Sequence, residues 1–132
     1  MGWQHEEMNL HTLQDSAGPG NVLLVRITSE HANAVFVGFG EKGRRAENVA
    51  QAAVEQARSY LAADVPVCEH LADQLLLPMA FAGGGSFRTT KPSRHTLTHA
   101  EIIERFMNCS FAFEREGESM AWTVTVGTRS TQ

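Results

Sequence analysis

The residues of this chain best suited to handle a phosphate are a histidine and three cations close upstream of it. His95 follows Arg88, Lys91 and Arg94, and no Asp or Glu occurs between Asp73 and Glu101 although the chain carries a net charge of −4. An acidic protein that clears its carboxylates from one stretch offers an anion a local site there. His95 precedes an expected helix whose first turn is capped by Thr98 and Glu101. The free N–H groups and positive potential of such a helix end favour a phosphate. The same potential works against a charged imidazole and favours a ring nitrogen with a lone pair that can attack phosphorus. Arg88, Lys91 and Arg94 could neutralise charge on the attacked group. A surface histidine in a basic loop has the same composition, and spacing alone does not separate the two readings.

Upstream, His70, Asp73, Gln74 and Leu77 follow i, i+3, i+4, i+7, so three polar groups share one helical face. A ring to stack on, a carboxylate for ribose hydroxyls and an amide for a base edge would suit a nucleoside. The solvated side of an amphipathic helix looks the same. His95 and His99 have a metal-ligand spacing, but His95 falls before the expected Thr98 cap and no third ligand is adjacent. No metal site is expected. Gly83–Gly85 lacks the Lys-Ser/Thr of a phosphate loop, and Ser93 has no evident triad partners.

These residues need a scaffold. Residues 22–29 and 34–41 are β-rich runs around Glu30-His31-Ala32-Asn33, read as a hairpin covered on more than one side. Gly38 and Gly40 suggest a bulge or close packing. A short strand is expected around residues 8–13, after which Asp15–Asn21 is a turn cluster. Ala46, Val49, Ala50, Ala53, Ala57, Tyr60 and Leu61 form one stripe, which predicts an amphipathic helix over 46–63. A second helix begins near Cys68 and should kink or stop at Pro78, which has no N–H for the carbonyl of Gln74. A short strand at 86–90, a loop, a helix over 99–106 and a hairpin of 110–115 with 121–126 complete the order. Helices packed on one face of a mixed or antiparallel sheet, an α+β fold, follow naturally.

At 132 residues this is a single domain of ordinary composition. Its acidity excludes a broad basic nucleic-acid face. The longest apolar run, 75–82, is broken by Pro78 and too short for a bilayer, so no membrane contact is expected. The N-terminus lacks the plan of a signal peptide. Cys68 and Cys109 have no metal-type spacing and sit among apolar neighbours, as free thiols of a cytoplasmic protein do.

Four stretches resemble the RNA 3'-terminal phosphate cyclases: DSAGPGN (15–21), GEKGRRAENVA (40–50), EHLADQLLLPMAFAGGGSF (69–87) and PSRHTLTHAEIIERF (92–106). They span nearly the whole chain in the family's order. The resemblance implies a fold of βαβαββ units, the EPSP-synthase-like architecture, each unit resembling the C-terminal domain of translation initiation factor 3. Residues 34–126 would form one unit, residues 1–33 strands of its neighbour, and 127–132 a loose tail. It further implies ATP, a divalent cation (magnesium or manganese) and RNA bearing a 3'-phosphate as ligands. In that family a histidine, here His95, takes AMP from ATP and passes it to the RNA 3'-phosphate. The 2'-hydroxyl then closes a 2',3'-cyclic phosphate. The family's AMP pocket implicates His70, Asp73 and Gln74, and Arg88, Lys91 and Arg94 fit a phosphate or RNA role. A tyrosine is familiar at the position of His70 and an asparagine at that of His99. The family's chains are longer, so this one resembles only their C-terminal part. Weak or absent activity alone and self-association through exposed sheet edges and faces are expected. The alternatives are a non-catalytic cyclase-like RNA-processing or assembly factor, or an inactive self-associating fragment.

Overall fold

The structure is a computed structural model that describes residues 4–18, 20–30 and 32–129. Two hydrophobic clusters organise the chain. The first is built on the hairpin β1 (Val22–Thr28) and β2 (Asn33–Phe39), whose antiparallel register runs from Val22↔Phe39 to Thr28↔Asn33. The alternation of its residues decides its faces: Val25, Ala34 and Phe36 point inward and are buried. Helix α1 (Ala46–Ala63) lays Val49, Ala53, Ala57 and Tyr60 on that face. Gly38 makes this possible, because a Cβ there would stand 2.7 Å from the carbonyl oxygen of Val49. The other face is bare, with Val22, Leu24, Val35 and Phe39 exposed. The expectation of cover on more than one side is therefore met on one side only among the described residues.

The second cluster lies under α2 (Glu69–Phe81) and α3 (Arg94–Phe106). Leu76 and Ala80 of α2, with Ala100 and Ile103 of α3, pack on Val124 and Val126 of a three-stranded antiparallel sheet. Its order is β3 (Gly85–Thr89), β5 (Trp122–Thr128), β4 (Cys109–Arg115). Phe87, Phe111 and Phe113 pack partly buried against the same cluster, as their register opposite Val124 and Val126 requires. Ala121, just before β5, and Cys68, just before α2, complete the first cluster. The result is α+β with antiparallel sheets. The parallel component of the expected mixed sheet reduces to one bridge between Val67 and Thr89.

Three local expectations are corrected. Residues 8–13 form no strand; a 3-10 turn at His5–Glu7 precedes them, and Leu10 and Leu13 are exposed. Among the described residues nothing pairs with this segment, and a strand without a partner gains no ladder bonds. Of the expected kink or stop at Pro78 the stop is ruled out: helix α2 continues to Phe81, and the Ala82 N–H donates to the Pro78 carbonyl at 2.9 Å. Leu76 and Ala80, buried on either side of the proline, hold that turn on the sheet and outweigh the lost hydrogen bond. Helix α3 begins at Arg94, not His99. Of the expected tail, residues 130–132 lie outside the described residues, as does His31 of the first hairpin turn.

Candidate active site

The position of α3 is set by Ser93, which follows Pro92. Ser93 takes extended backbone angles, and its Oγ accepts from the Thr96 N–H at 3.1 Å and lies 2.9 Å from the Thr96 hydroxyl. This N-cap overrides the Thr98/Glu101 box, because Thr96 is fully buried and its hydroxyl is satisfied there. The consequence is geometric. His95 becomes the second residue of α3, and His99 lies one turn later on the same face.

That face meets α2 at Asp73. The Nδ1 of His95 lies 3.2 Å, and the Nδ1 of His99 3.1 Å, from the same oxygen, Asp73 Oδ1. An ionised carboxylate only accepts, so opposite it each ring donates Nδ1–H, and a neutral ring so placed carries its lone pair on Nε2. The His95 side chain is 80% exposed, whereas those of His99 and Asp73 are 31% and 25% exposed. His95 thus presents an accessible Nε2 fixed from behind by a shielded carboxylate. The two rings stand 6.4 Å apart, edge to face.

Helix α2 places His70 and Gln74 exposed on either side of Asp73 along the chain. Arg94 and Lys91 are exposed at and before the start of α3. Arg88 is placed differently. It pairs with Thr123 across the sheet, on the face opposite Phe87 and the helices, and its guanidinium grips Glu116 at 2.8–3.2 Å. The Glu116 carboxyl, bound by Arg88 and by the Thr123 hydroxyl, is held down at about 2. The same pair raises Arg88 further above its ordinary value. A phosphate role for Arg88 would require breaking this fork. A cavity of about 730 Å³ adjoins α2 and contains both His70 and Lys91, with Phe36, Tyr60, Trp122 and Arg115 among its walls. Its walls do not include His95, Asp73 or Gln74. Among the described residues no group of three or more His, Cys, Asp or Glu side chains is placed to hold a metal ion. Cys68 and Cys109 are free and buried, and burial followed by the charge of Glu104 pushes the Cys109 thiol up.

Comparison with known proteins agrees with the resemblance read from the motifs. The family described as RNA 3'-terminal phosphate cyclase matches residues 5–113. The chain belongs to the RNA 3'-terminal phosphate cyclase family. The RNA 3'-terminal phosphate cyclase of Pseudomonas aeruginosa (strain UCBPP-PA14) is 48% identical over 107 residues, which is 81% of this chain and 31% of that protein. The protein of the same name from Salmonella enteritidis PT4 is 46% identical over 108 residues, 82% of this chain and 32% of the relative. That of Koribacter versatilis is 42% identical over 116 residues, 88% of this chain and 33% of the relative. The chain therefore spans about a third of the length of these cyclases.

In this chain, sequence reasoning names Asp73 and His95 but keeps them in separate groups. It leaves His99 without a role. The i, i+4 spacing of the histidines is the available signal, masked by the later helix start. Tyr60, Trp122 and Arg115, which wall the cavity beside His70, carry no local signature, because three separate elements bring them together.

Proposed function

We propose that this chain supplies the adenylate-accepting part of an RNA 3'-terminal phosphate cyclase, with His95 as nucleophile. The observation that carries this reading is the Asp73–His95 hydrogen bond of 3.2 Å beneath an exposed ring. With Nδ1–H donated to Asp73, the Nε2 lone pair attacks the α-phosphorus of ATP. The bond to the bridging oxygen breaks and pyrophosphate leaves with its electrons. An oxygen of the RNA 3'-phosphate then attacks the same phosphorus, and the N–P electron pair returns to Nε2. The RNA 2'-hydroxyl attacks the activated 3'-phosphate, losing its proton to solvent, and AMP departs from a 2',3'-cyclic phosphate. Asp73 holds the ring throughout.

The nucleoside would be met by His70, by the free Oδ2 of Asp73 and by Gln74. The cavity beside His70 has the volume and the apolar, partly aromatic lining usual for such ligands. Lys91 and Arg94 would offset charge on the phosphates, and a divalent cation, magnesium or manganese, would accompany ATP. No helix of the described residues is long and apolar enough to cross a membrane, and the proposed setting is the cytoplasm. Much of the positioning in such chemistry comes from contacts beyond this segment, so the chain alone turns over slowly or not at all. Its bare β1–β2 face, carrying Val22, Leu24, Val35 and Phe39, favours self-association.

The test replaces the matching third of the Pseudomonas aeruginosa cyclase with this chain and incubates the chimaera with ATP labelled at the α-phosphate. Acid-labile, alkali-stable label on the protein, absent from His95→Ala, supports the reading. A fully folded chimaera that takes up no label while the intact Pseudomonas aeruginosa protein does would overturn it.

A further inference from the structure

We propose that His99 is a positioning residue that acts through Asp73 to set the tautomer of His95. The proposal rests on the reading of His95 as nucleophile. Two observations carry it. Both Nδ1 atoms address one oxygen, at 3.1 Å from His99 and 3.2 Å from His95. The two contacts are not equivalent, because His95 lies in water while His99 and Asp73 shield each other between α2 and α3. An exposed imidazole exchanging one carboxylate bond for water gains little net free energy. The His95 contact is therefore weak unless the carboxylate is already oriented.

The χ2 torsion of an aspartate is broad and roughly two-fold, so Asp73 by itself would not keep one oxygen facing α3. His99 supplies the constraint. It sits mid-helix, next to Ala100 and one turn before Ile103, both buried on the sheet, so its backbone is fixed relative to α2. A shielded N–H donor to a carboxylate is among the stronger hydrogen bonds available. With Oδ1 pinned by His99, the first turn of α3 carries the His95 Nδ1–H onto the same oxygen. Without that pin, His95 would revert to the tautomer that a free neutral imidazole prefers in water, with the proton on Nε2. The lone pair would then lie on Nδ1, turned toward the protein and useless for attack on an incoming phosphate.

The chemistry also says which substitution should be tolerated. An asparagine amide nitrogen branches from Cγ as Nδ1 does in histidine, so it can donate from nearly the same place. Alanine and leucine cannot donate at all.

The experiment reads ring nitrogens, not turnover. The chain is labelled with ¹⁵N-histidine, and long-range ¹H–¹⁵N correlation spectra are recorded in alkaline buffer without nucleotide. In the unaltered chain His95 should show a protonated Nδ1 and an unprotonated Nε2. His99→Ala should move His95 toward the Nε2–H pattern, as should Asp73→Asn, whereas His99→Asn should leave it as in the parent. His99→Leu keeps the bulk without a donor and serves if the alanine variant fails to fold. His95 ring shifts that are the same in the parent and in the alanine or leucine variant would overturn the proposal, as would a parent already in the Nε2–H form. Unchanged His95 shifts in the His99 variants would sink this proposal and leave the adenylation reading standing, whereas a parent in the Nε2–H form would count against both; because no ATP is present, failure of adenylation leaves this result interpretable.

Discussion

Replacing Ser93 by alanine removes two interactions with one atom. The first is the cap bond from the Thr96 N–H at 3.1 Å; losing such a cap costs about 1 kcal/mol. The second is the 2.9 Å partner of the Thr96 hydroxyl, on a residue that is 0% exposed. An orphaned buried hydroxyl costs a further ~1–3 kcal/mol. Ser93→Ala should therefore destabilise the chain by about 2–4 kcal/mol, a large share of the ~5–15 kcal/mol available to an ordinary domain. Thr96→Val in the same background removes the orphan, so the double variant should lose only about 1 kcal/mol and be more stable than Ser93→Ala alone. Urea unfolding followed by far-UV circular dichroism measures both, through the shift of the midpoint at constant slope. A Ser93→Ala loss below about 0.5 kcal/mol, or a double variant no more stable than Ser93→Ala, would refute this placing of the α3 start. The facing of His95 and His99 toward Asp73 would fall with it.

Leu76, fully buried between α2 and the sheet one turn beyond Asp73, should cost about 3–5 kcal/mol as Leu76→Ala in the same urea assay. Glu116 has its carboxyl lowered from 4.5 to about 2, so it contributes stability that is present above pH 4.5 and lost as pH falls toward 2. The urea midpoint of Glu116→Gln should accordingly lie below the parent's at pH 6 and converge on it near pH 2; a gap independent of pH would discard the Arg88–Glu116 fork as its source. Leu24→Lys with Phe39→Lys should shift the chain toward monomer in sedimentation at tens of micromolar, and a strictly monomeric parent would remove the case for self-association through this face.

Much of this fold is legible in the chain because its periodicities are clean. The stripe from Val49 to Tyr60 predicts helix over 46–63, and α1 spans Ala46–Ala63. The two hairpins are bracketed by turn residues and fall within two residues of their expected ends. Two of the failures share a cause, which is that local signals are outvoted by packing. Pro78 is a strong breaker, yet Leu76 and Ala80 anchor the helix across it. Thr98 and Glu101 spell a better capping box than Ser93, but only a start at Arg94 buries Thr96 with its hydroxyl paired. That one misplacement hid the centre of the site. Asp73 and His95 were each legible as chemistry-bearing residues, but the single oxygen shared by His95 and His99 depends on how α2 and α3 cross, which no spacing within either helix encodes.

The nucleophilic role of His95 is tested most directly by locating the adduct. The chimaera with the Pseudomonas aeruginosa cyclase is incubated with ATP, digested under alkaline conditions and sequenced by tandem mass spectrometry. AMP should be found on the peptide carrying His95, and should disappear in His95→Ala while surviving in His99→Asn. AMP on His99 or on a lysine, or an adduct undiminished in His95→Ala, would contradict the assignment.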